Sequence, residues 1–185
     1  MRNLILCSFV LLITGCTEVK KQPEINYFSI STFLNKEIAA LKEKEAILVK
    51  TIQQKNKTET RSVYTPDWEN ELKPFFESAI DRPAWKNSYQ CDTTLRDSEM
   101  VISYTTNNKK APVKLLRVTY LKDKVNTIFI LFEKSNAWFC LNQQLTFQSA
   151  EGFTIHSEQK MTLSAPAIYT ISAIFEEKKY SSKPL

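Results

Sequence analysis

Few side chains in this sequence could carry out catalytic chemistry, and their types limit what that chemistry could be. The single histidine, His156, excludes metal sites built from several histidines and leaves one imidazole for acid and base work. It lies on the polar side of an alternating segment, with Thr154 and Glu158, so we expect a solvated surface histidine. The only two glycines, Gly15 and Gly152, exclude a Walker loop, a dinucleotide-binding fingerprint and a nucleophile elbow.

The carboxylates and thiols add no catalytic set. Asp67, Glu69 and Glu71 lie in the first turn of a predicted helix, where acidic side chains compensate the helix dipole. Cys91 and Cys140 have no basic or metal-binding neighbour at a readable spacing, so neither is expected to act as a nucleophile or a metal ligand. We therefore expect a protein that is not an enzyme and that uses no cofactor and no metal.

The N-terminus predicts export. Arg2 precedes residues 4–13, which are mostly apolar and typical of a secretory signal. This stretch is too short to cross a bilayer, since a spanning helix needs about 20 apolar residues.

The signal ends in L-I-T-G-C at residues 12–16, which resembles the lipobox of bacterial lipoproteins. The resemblance implies that residues 1–15 are a removed signal peptide and that Cys16 carries acyl chains, such as palmitate, that anchor the protein in a membrane. Thr17, and not an aspartate, follows the acceptor cysteine, and by the best-known sorting rule this resembles an outer-membrane lipoprotein. It implies a place in the cell envelope, on the outer membrane facing the periplasm, although the inner membrane stays open. An ordinary signal peptide cut nearby and an uncleaved anchor are the alternatives.

Residues 16–28 contain few structure signals and are predicted to be a lipidated tether, followed by a single domain over residues 29–185. The formal net charge of +5 is small, and the lysines are scattered or lie in mixed runs such as residues 176–179. Mixed runs are typical of a solvated face, so no nucleic-acid partner is expected.

The domain begins with a predicted helix and a predicted β-hairpin. Ser29 or Ser31 can cap the helix, and residues 47–52 and 58–63 form extended segments joined by a polar turn. The apolar positions of the helix, at a spacing of three or four residues, are Ile30, Leu34, Ile38 and Leu41.

A second helix is predicted from Pro66 and Asp67, with Arg82-Pro83 at its end. Pro74 lies inside it and removes a backbone hydrogen bond, so either the helix kinks or two short helices meet there. Its apolar stripe is Trp68, Leu72, Phe75, Phe76, Ala79 and Ile80.

From residue 88 onward the apolar pattern has a period of two, and the short polar links between segments leave no room for crossover helices. We therefore predict an α+β fold, a long curved antiparallel β-meander with two N-terminal helices and a hairpin between them. The predicted meander strands cover residues 88–94, 99–106, 113–121, 125–133, 137–148, 153–161 and 167–176.

This layout resembles, in topology only, the half-barrel of the carriers that localise lipoproteins to the outer membrane. The segment at residues 72–89, together with Trp68, is similar to that of short uncharacterised lipoproteins from Bacteroidota. The second resemblance implies no activity.

On this strand order Cys91 and Cys140 lie four strands apart, or about 19 Å at about 4.8 Å per strand. A disulfide requires Cα atoms within about 7 Å, so we expect two separate, largely buried thiols, although a strongly rolled sheet would permit a bridge.

The strand at residues 125–133 is apolar on both faces, with Val125, Phe129 and Leu131 on one and a second apolar set on the other. A one-sided antiparallel sheet should alternate apolar with polar residues, so the second set is either screened by sheet curvature or offered to a ligand or partner. The candidate ligand-binding residues of that second set are Ile128, Ile130 and Phe132.

These features predict an envelope lipoprotein, held to the membrane by lipid on Cys16, that binds an apolar or amphipathic ligand inside a curved sheet. The alternative is an accessory or scaffold subunit of an envelope protein complex.

Overall fold

The computed structural model of the chain describes residues 26–178. The helical segments are α1 (Ile30–Glu43), α2 (Trp68–Glu71), α3 (Lys73–Glu77) and a short 3-10 helix at Pro83–Trp85. The strands are β1 (Ile47–Gln54), β2 (Lys57–Val63), β3 (Gln90–Arg96), β4 (Glu99–Thr105), β5 (Val113–Leu121), β6 (Lys124–Ser135), β7 (Phe139–Gln148), β8 (Gly152–Met161) and β9 (Ala167–Glu176).

All nine strands belong to one antiparallel sheet, in the order β2-β1-β9-β8-β7-β6-β5-β4-β3. The sheet does not close on itself, so β2 and β3 are its edges. Strands β3 to β9 follow one another as the meander that the short connections predicted. The hairpin of β1 and β2 joins this meander at its far side, where Ile47 pairs with Glu176 of β9.

Helix α1 forms where its apolar spacing predicted it. The Ser29 hydroxyl accepts a hydrogen bond from the Thr32 N–H at 3.4 Å and caps the first turn. The four apolar positions named from the sequence, Ile30, Leu34, Ile38 and Leu41, are the buried residues of the helix. They hold α1 against the sheet, so this helix gains its stability from burial of one face.

The second predicted helix is two short ones. Asp67 caps α2 by accepting a hydrogen bond from the Asn70 N–H at 3.2 Å. A new helix, α3, begins after Leu72, and Pro74 lies in its first turn. The backbone N–H groups of a first turn have no partner within the helix, so proline is tolerated there. The proline therefore separates two helices, which was one of the two alternatives.

The helices cover one face of the sheet, called the inner face here, and the opposite face is the outer face. Phe147 of β7 lies at the centre of the inner face and is fully buried. Its ring centroid is 5.7 Å from that of Phe33 in α1, 5.8 Å from that of Phe75 in α3 and 5.9 Å from that of Phe175 in β9. These ring contacts join helices and sheet into one core.

Most strand bounds lie within two residues of the predicted ones, and two strands begin later than predicted for a structural reason. The predicted strand at residues 137–148 begins at Phe139 because the residues before it form a turn. In this turn the Asn136 N–H donates to the Phe139 carbonyl at 2.8 Å, and the Asn136 side chain accepts from the Trp138 N–H at 2.9 Å. The predicted strand at residues 88–94 begins later, at Gln90, because the Tyr89 N–H donates to the Tyr27 hydroxyl instead of to a neighbouring strand.

Candidate functional site

The predicted lipid acceptor Cys16 and the signal at residues 1–15 lie outside the described residues. The last two residues of the predicted tether do not lie free of the domain. Tyr27 and Phe28 pack against the core, and the Tyr89 N–H donates to the Tyr27 hydroxyl at 3.1 Å. Tyr27 and Phe28 therefore belong to the packed domain.

The candidate ligand-binding residues lie in the core of the protein. Ile128 and Ile130 are fully buried and Phe132 is 8% exposed, all on the inner face among the side chains that the helices cover. Their neighbours across the strand pair are also buried, since Ile128 lies opposite Phe147 and Ile130 opposite Leu145. Burial under the helices accounts for this apolar set, and a ligand would reach it only by displacing them.

The face assigned to Val125 from the sequence is wrong. Thr119 pairs with Thr127 but the next residue, Tyr120, pairs with Val125, so β6 carries one extra residue, Asn126, at a β-bulge. The bulge shifts the alternation and turns Val125 onto the inner face, where it packs against the core with Tyr120. The prediction assumed that side chains alternate between the faces without interruption through residues 125–133, so it could not include the bulge.

The other apolar residues of β6, Phe129 and Leu131, lie half-buried on the outer face. Leu131 pairs with Leu115 of β5, and Phe129 pairs with Arg117, whose guanidinium carbon lies 5.9 Å from the centroid of the phenyl ring. The arginine covers part of the ring by a cation–π contact. These cross-strand pairs screen the apolar side chains of the outer face in the absence of a helix.

The outer face of the five strands β2, β1, β9, β8 and β7 has an unusual composition. It carries hydroxyl and amide side chains in rows that cross the strands, and two of its cross-strand pairs are hydrogen-bonded. The Thr51 and Thr60 hydroxyls are 2.9 Å apart, and His156 Nδ1 is 3.0 Å from the Thr170 hydroxyl. Three consecutive rows of this face, called the hydroxyl face below, consist of Thr58, Thr60, Ser62, Val49, Thr51, Gln53, Thr170, Ser172, Ile174, Thr154, His156, Gln144, Thr146 and Gln148.

None of these fourteen positions holds an aspartate, glutamate, lysine or arginine, although 24% of the whole chain is charged. The sequence predicted His156 to lie on a polar face beside solvated charges. His156 is exposed on the outer face of β8, and Glu158 and Lys160 follow it on the same face, as predicted; on its other side lie the hydroxyl and amide side chains of the hydroxyl face.

The acidic residues of the second predicted helix have separate structural roles. Asp67 caps α2, and the Lys50 ammonium of β1 donates to a Glu71 carboxylate oxygen at 2.6 Å. Both members of this ion pair are largely buried, with side chains 14% and 15% exposed. Glu71 therefore ties α2 to the inner face of the sheet, a role that dipole compensation alone did not predict.

Cys91 and Cys140 are both free thiols. Three strands lie between β3, which carries Cys91, and β7, which carries Cys140, so the strand-count argument against a bridge is confirmed. The expectation that both would be largely buried is wrong, because Cys91 lies exposed on the edge strand and Cys140 is only half-buried. Within residues 26–178 no group of histidine, cysteine and acidic side chains is arranged to hold a metal ion.

Two core tyrosines have strongly perturbed pKa values. Burial raises the pKa of Tyr89 to about 12, with a smaller contribution from Tyr27, and burial likewise raises the pKa of Tyr104 to about 12. The Tyr89 hydroxyl donates to the Val113 carbonyl at 2.9 Å, so its proton has a structural use. These tyrosines join the chain entry at Tyr27 to the sheet, with ring centroids 5.6 Å and 5.9 Å from the Tyr27 ring.

The sequence did not single out one end of the sheet that carries exposed apolar side chains. We call this end the N-terminal rim; it comprises the connecting residues 55–56, 81–89, 106–112, 136–138 and 162–166. Trp138 is 70% exposed and Leu163 is 93% exposed, and Met161 at the end of β8 is 50% exposed. The sequence does place large apolar residues, Trp138 and Leu163, at turns, but these two turns are far apart along the chain.

No known protein family and no curated protein matches this sequence. In the described part of the chain, none of the helices has the length and apolar character required to span a membrane.

Proposed function

We propose that this protein is a lipid-anchored envelope lipoprotein without catalytic activity, which acts as an accessory or scaffold subunit and binds a protein partner through its hydroxyl face. The proposed anchor is Cys16, and the proposed location is the outer membrane facing the periplasm. This choice favours the second of the two functions expected from the sequence.

The observation that carries the proposal is the absence of charged side chains from the fourteen positions of the hydroxyl face. Depletion of charged residues is the compositional mark of the centre of a protein–protein interface. The charged residues on the outer face of these five strands, Glu158, Lys160 and Glu176, lie beyond the three rows of the hydroxyl face, at the ends of β8 and β9. Ile174, 58% exposed within this face, adds an apolar contact of the kind that interfaces bury.

An apolar ligand inside the sheet has less support. The residues proposed to contact it, Ile128, Ile130 and Phe132, are core residues, and the middle of the inner face is filled by side chains from the helices, among them Leu34 and Phe75. The clefts around the protein, such as the one of about 540 Å³ beside Gly152, lie on its surface. The half-barrel-like shape belongs to the same proposal and is supported by an open sheet with helices on one face only.

Site-specific photo-crosslinking in the native cells tests the partner. A photoreactive residue placed at Thr60 or Thr154 of the full-length protein should give the same single crosslinked species. The matched controls are Lys36 and Ala39, which are exposed on the opposite side of the molecule, on α1. Equal crosslinking from both sides, or none from the hydroxyl face, would contradict the proposal.

A charge introduced into this face should weaken the complex. Thr154→Arg places an unpaired charge in the middle of the proposed interface and should lower recovery of the crosslinked partner at least tenfold. Ala39→Arg adds the same charge to an exposed helix position and should leave recovery unchanged. Both variants should keep the melting temperature of the unaltered protein to within a few degrees.

The anchor is tested separately. Replacing Cys16 by Ala should abolish labelling with a clickable fatty acid and leave the precursor uncleaved by the lipoprotein peptidase. Continued labelling of this variant would contradict lipidation at Cys16 and would leave the partner proposal standing.

A further inference from the structure

We propose that the N-terminal rim is a membrane-contact surface, which inserts Trp138 and Leu163 into the interfacial layer of a bilayer that contains anionic lipid. This inference deepens the proposed function and rests on it in one respect, the location of the lipid anchor. The remaining support comes from the rim itself.

Hydrogen bonds hold the two apolar turns of the rim together. The Thr162 N–H donates to the Trp138 carbonyl at 3.1 Å, and the Thr162 hydroxyl donates to the Ala137 carbonyl at 3.2 Å. The β6–β7 turn and the β8–β9 turn are thereby joined, and they project Trp138 and Leu163 from one fixed platform. Such an arrangement presents the apolar side chains without further ordering when they meet a surface.

The side chains at this platform suit a bilayer interface. Tryptophan is enriched at the headgroup level of membranes because one part of its ring system is apolar and its N–H requires a polar neighbour. Leu163 and Met161, 93% and 50% exposed, add apolar area beside it. Phe139 and Leu141, both half-buried, continue this area onto the inner face. Exposed apolar groups of this kind mark interaction sites when they cluster.

The chain enters the domain at the same rim. Asn26, the first described residue, and Tyr27 line a cleft of about 560 Å³ together with residues 81–83 and 86–87, which precede β3. The ten residues that connect Cys16 to Asn26 reach at most about 36 Å. A lipid on Cys16 would therefore attach the domain to the bilayer through the rim at which the chain enters.

The two ends of the sheet also differ in charge, and the difference favours membrane contact by the N-terminal rim. The connecting segments of the N-terminal rim carry Lys55, Arg82, Lys86, Lys109 and Lys110 against the single acid Asp81. The far rim, made of residues 44–46, 64–67, 97–98, 122–123, 149–151 and 177–178, is acidic. It carries Glu45, Asp67, Asp97, Asp123, Glu151 and Glu177 against Lys44, Lys122 and Lys178.

A basic rim is attracted to anionic headgroups and an acidic one is repelled. The charge distribution therefore orients the protein with its N-terminal rim toward the lipid, in agreement with the exposed apolar side chains and the point of chain entry. The hydroxyl face would then stand beside the membrane, open to the periplasm.

The test uses residues 16–185 with Cys16→Ser, so that no lipid contributes to binding. Among the described residues, the buried core side chains lie between Ile30 and Ala173, and this chain keeps every one of them. Co-sedimentation is measured with vesicles of equimolar phosphatidylcholine and phosphatidylglycerol, and with vesicles of phosphatidylcholine alone. We expect binding to the anionic vesicles that weakens as salt is added.

The double variant Trp138→Ser/Leu163→Ser should bind anionic vesicles about 100-fold more weakly, because each inserted side chain contributes about a tenfold factor. Leu95→Ser is the matched control, since Leu95 is 74% exposed but lies on β3 near the far rim, and it should bind normally. Quenching of tryptophan emission by brominated lipid should be largely lost in Trp138→Phe.

Failure of the unacylated protein to bind anionic vesicles, or equal binding by the double variant, would overturn the membrane-contact proposal. So would a crosslink from position 138 to a protein in the native cells in place of lipid contact. None of these results bears on fatty-acid labelling of Cys16 or on crosslinks from Thr154, so the two proposals fail independently.

Discussion

The two faces of the sheet use neighbouring residues for different purposes. In the pair formed by β7 and β8, Phe147 and Phe153 lie opposite each other on the inner face, and Thr146 and Thr154 lie opposite each other on the outer face. A buried aromatic side chain and a half-exposed hydroxyl thus belong to residues that are adjacent along the chain. This contrast teaches that stability and surface recognition can be varied independently in this protein, by substitution at alternate positions.

The largest expected effect concerns the centre of the inner face. Phe147→Ala removes a buried ring that contacts three other rings and should lower the free energy of unfolding by about 3 to 5 kcal/mol. Its neighbour Thr146→Ala should change the free energy by less than about 1 kcal/mol, because only cross-strand packing is altered. Urea denaturation of both variants measures the difference, and similar losses would remove the contrast between the faces.

Gly152 is an exception to the tolerance of the outer face. Its φ is 157°, and a Cβ added there would lie 2.0 Å from the Ala173 carbonyl oxygen of β9, so the two backbones must separate. Gly152→Ala should therefore cost about 2 to 4 kcal/mol, although the position is next to the tolerant hydroxyl face. Thermal unfolding is the measurement, with Thr154→Ala as the control. An unchanged melting temperature would show that the strands part at little cost.

A smaller effect is expected at Tyr89, which is buried in the core. Below pH 10 the folded and unfolded states both hold the Tyr89 proton, and the stabilising effect of its raised pKa is complete. As pH rises from about 10 to about 12 the unfolded state loses this proton first, so stability falls. Tyr89→Phe should cost about 1 to 2 kcal/mol at neutral pH, since the Val113 carbonyl loses its donor.

The same variant should show a shallower loss of stability at alkaline pH. The loss should not disappear, because the pKa of Tyr104 is also raised to about 12 and it titrates over the same range. Denaturation curves at neutral pH and at several alkaline values supply the comparison. An identical alkaline slope in the variant would contradict the role assigned to Tyr89.

The smallest effect is expected on the outer face at Arg117. Arg117→Gln removes the cation–π contact with Phe129 and should cost no more than about 0.5 to 1 kcal/mol, because the arginine is exposed. Arg117→Lys, which keeps the charge without the planar stacking group, should recover part of the loss. A loss of unfolding free energy as large as that of Phe147→Ala would mean that side chains of the outer face also form part of a hydrophobic core.

The sequence predicted those elements whose pattern is local. The spacing of Ile30, Leu34, Ile38 and Leu41 defines α1, and short polar links define an antiparallel meander, because both depend on residues close along the chain. Pro74 predicted a break without deciding between a kink and two helices. That decision depends on Leu72, whose backbone leaves the helix between α2 and α3.

The candidate site was harder to predict because its residues are distant along the chain. The apolar character of Ile128, Ile130 and Phe132 indicated a covered face but could not say whether helices or a ligand cover it. The N-terminal rim depends on Thr162 meeting Ala137 and Trp138, a contact made by two turns whose sequences share no pattern. The hydroxyl face likewise becomes visible only when the register of the five strands is known.

The pairing of β1 with β9 determines when the sheet can be completed during folding. The hairpin at the start of the domain contacts the rest of the sheet only through the last strand, with Ile47 opposite Glu176. Contacts between residues so distant along the chain form slowly, because a long loop must close first. A ribosome releases the chain from its N-terminus, so the strand that unites the two parts of the sheet emerges last among the nine. The nascent chain therefore needs protection from aggregation until β9 has emerged.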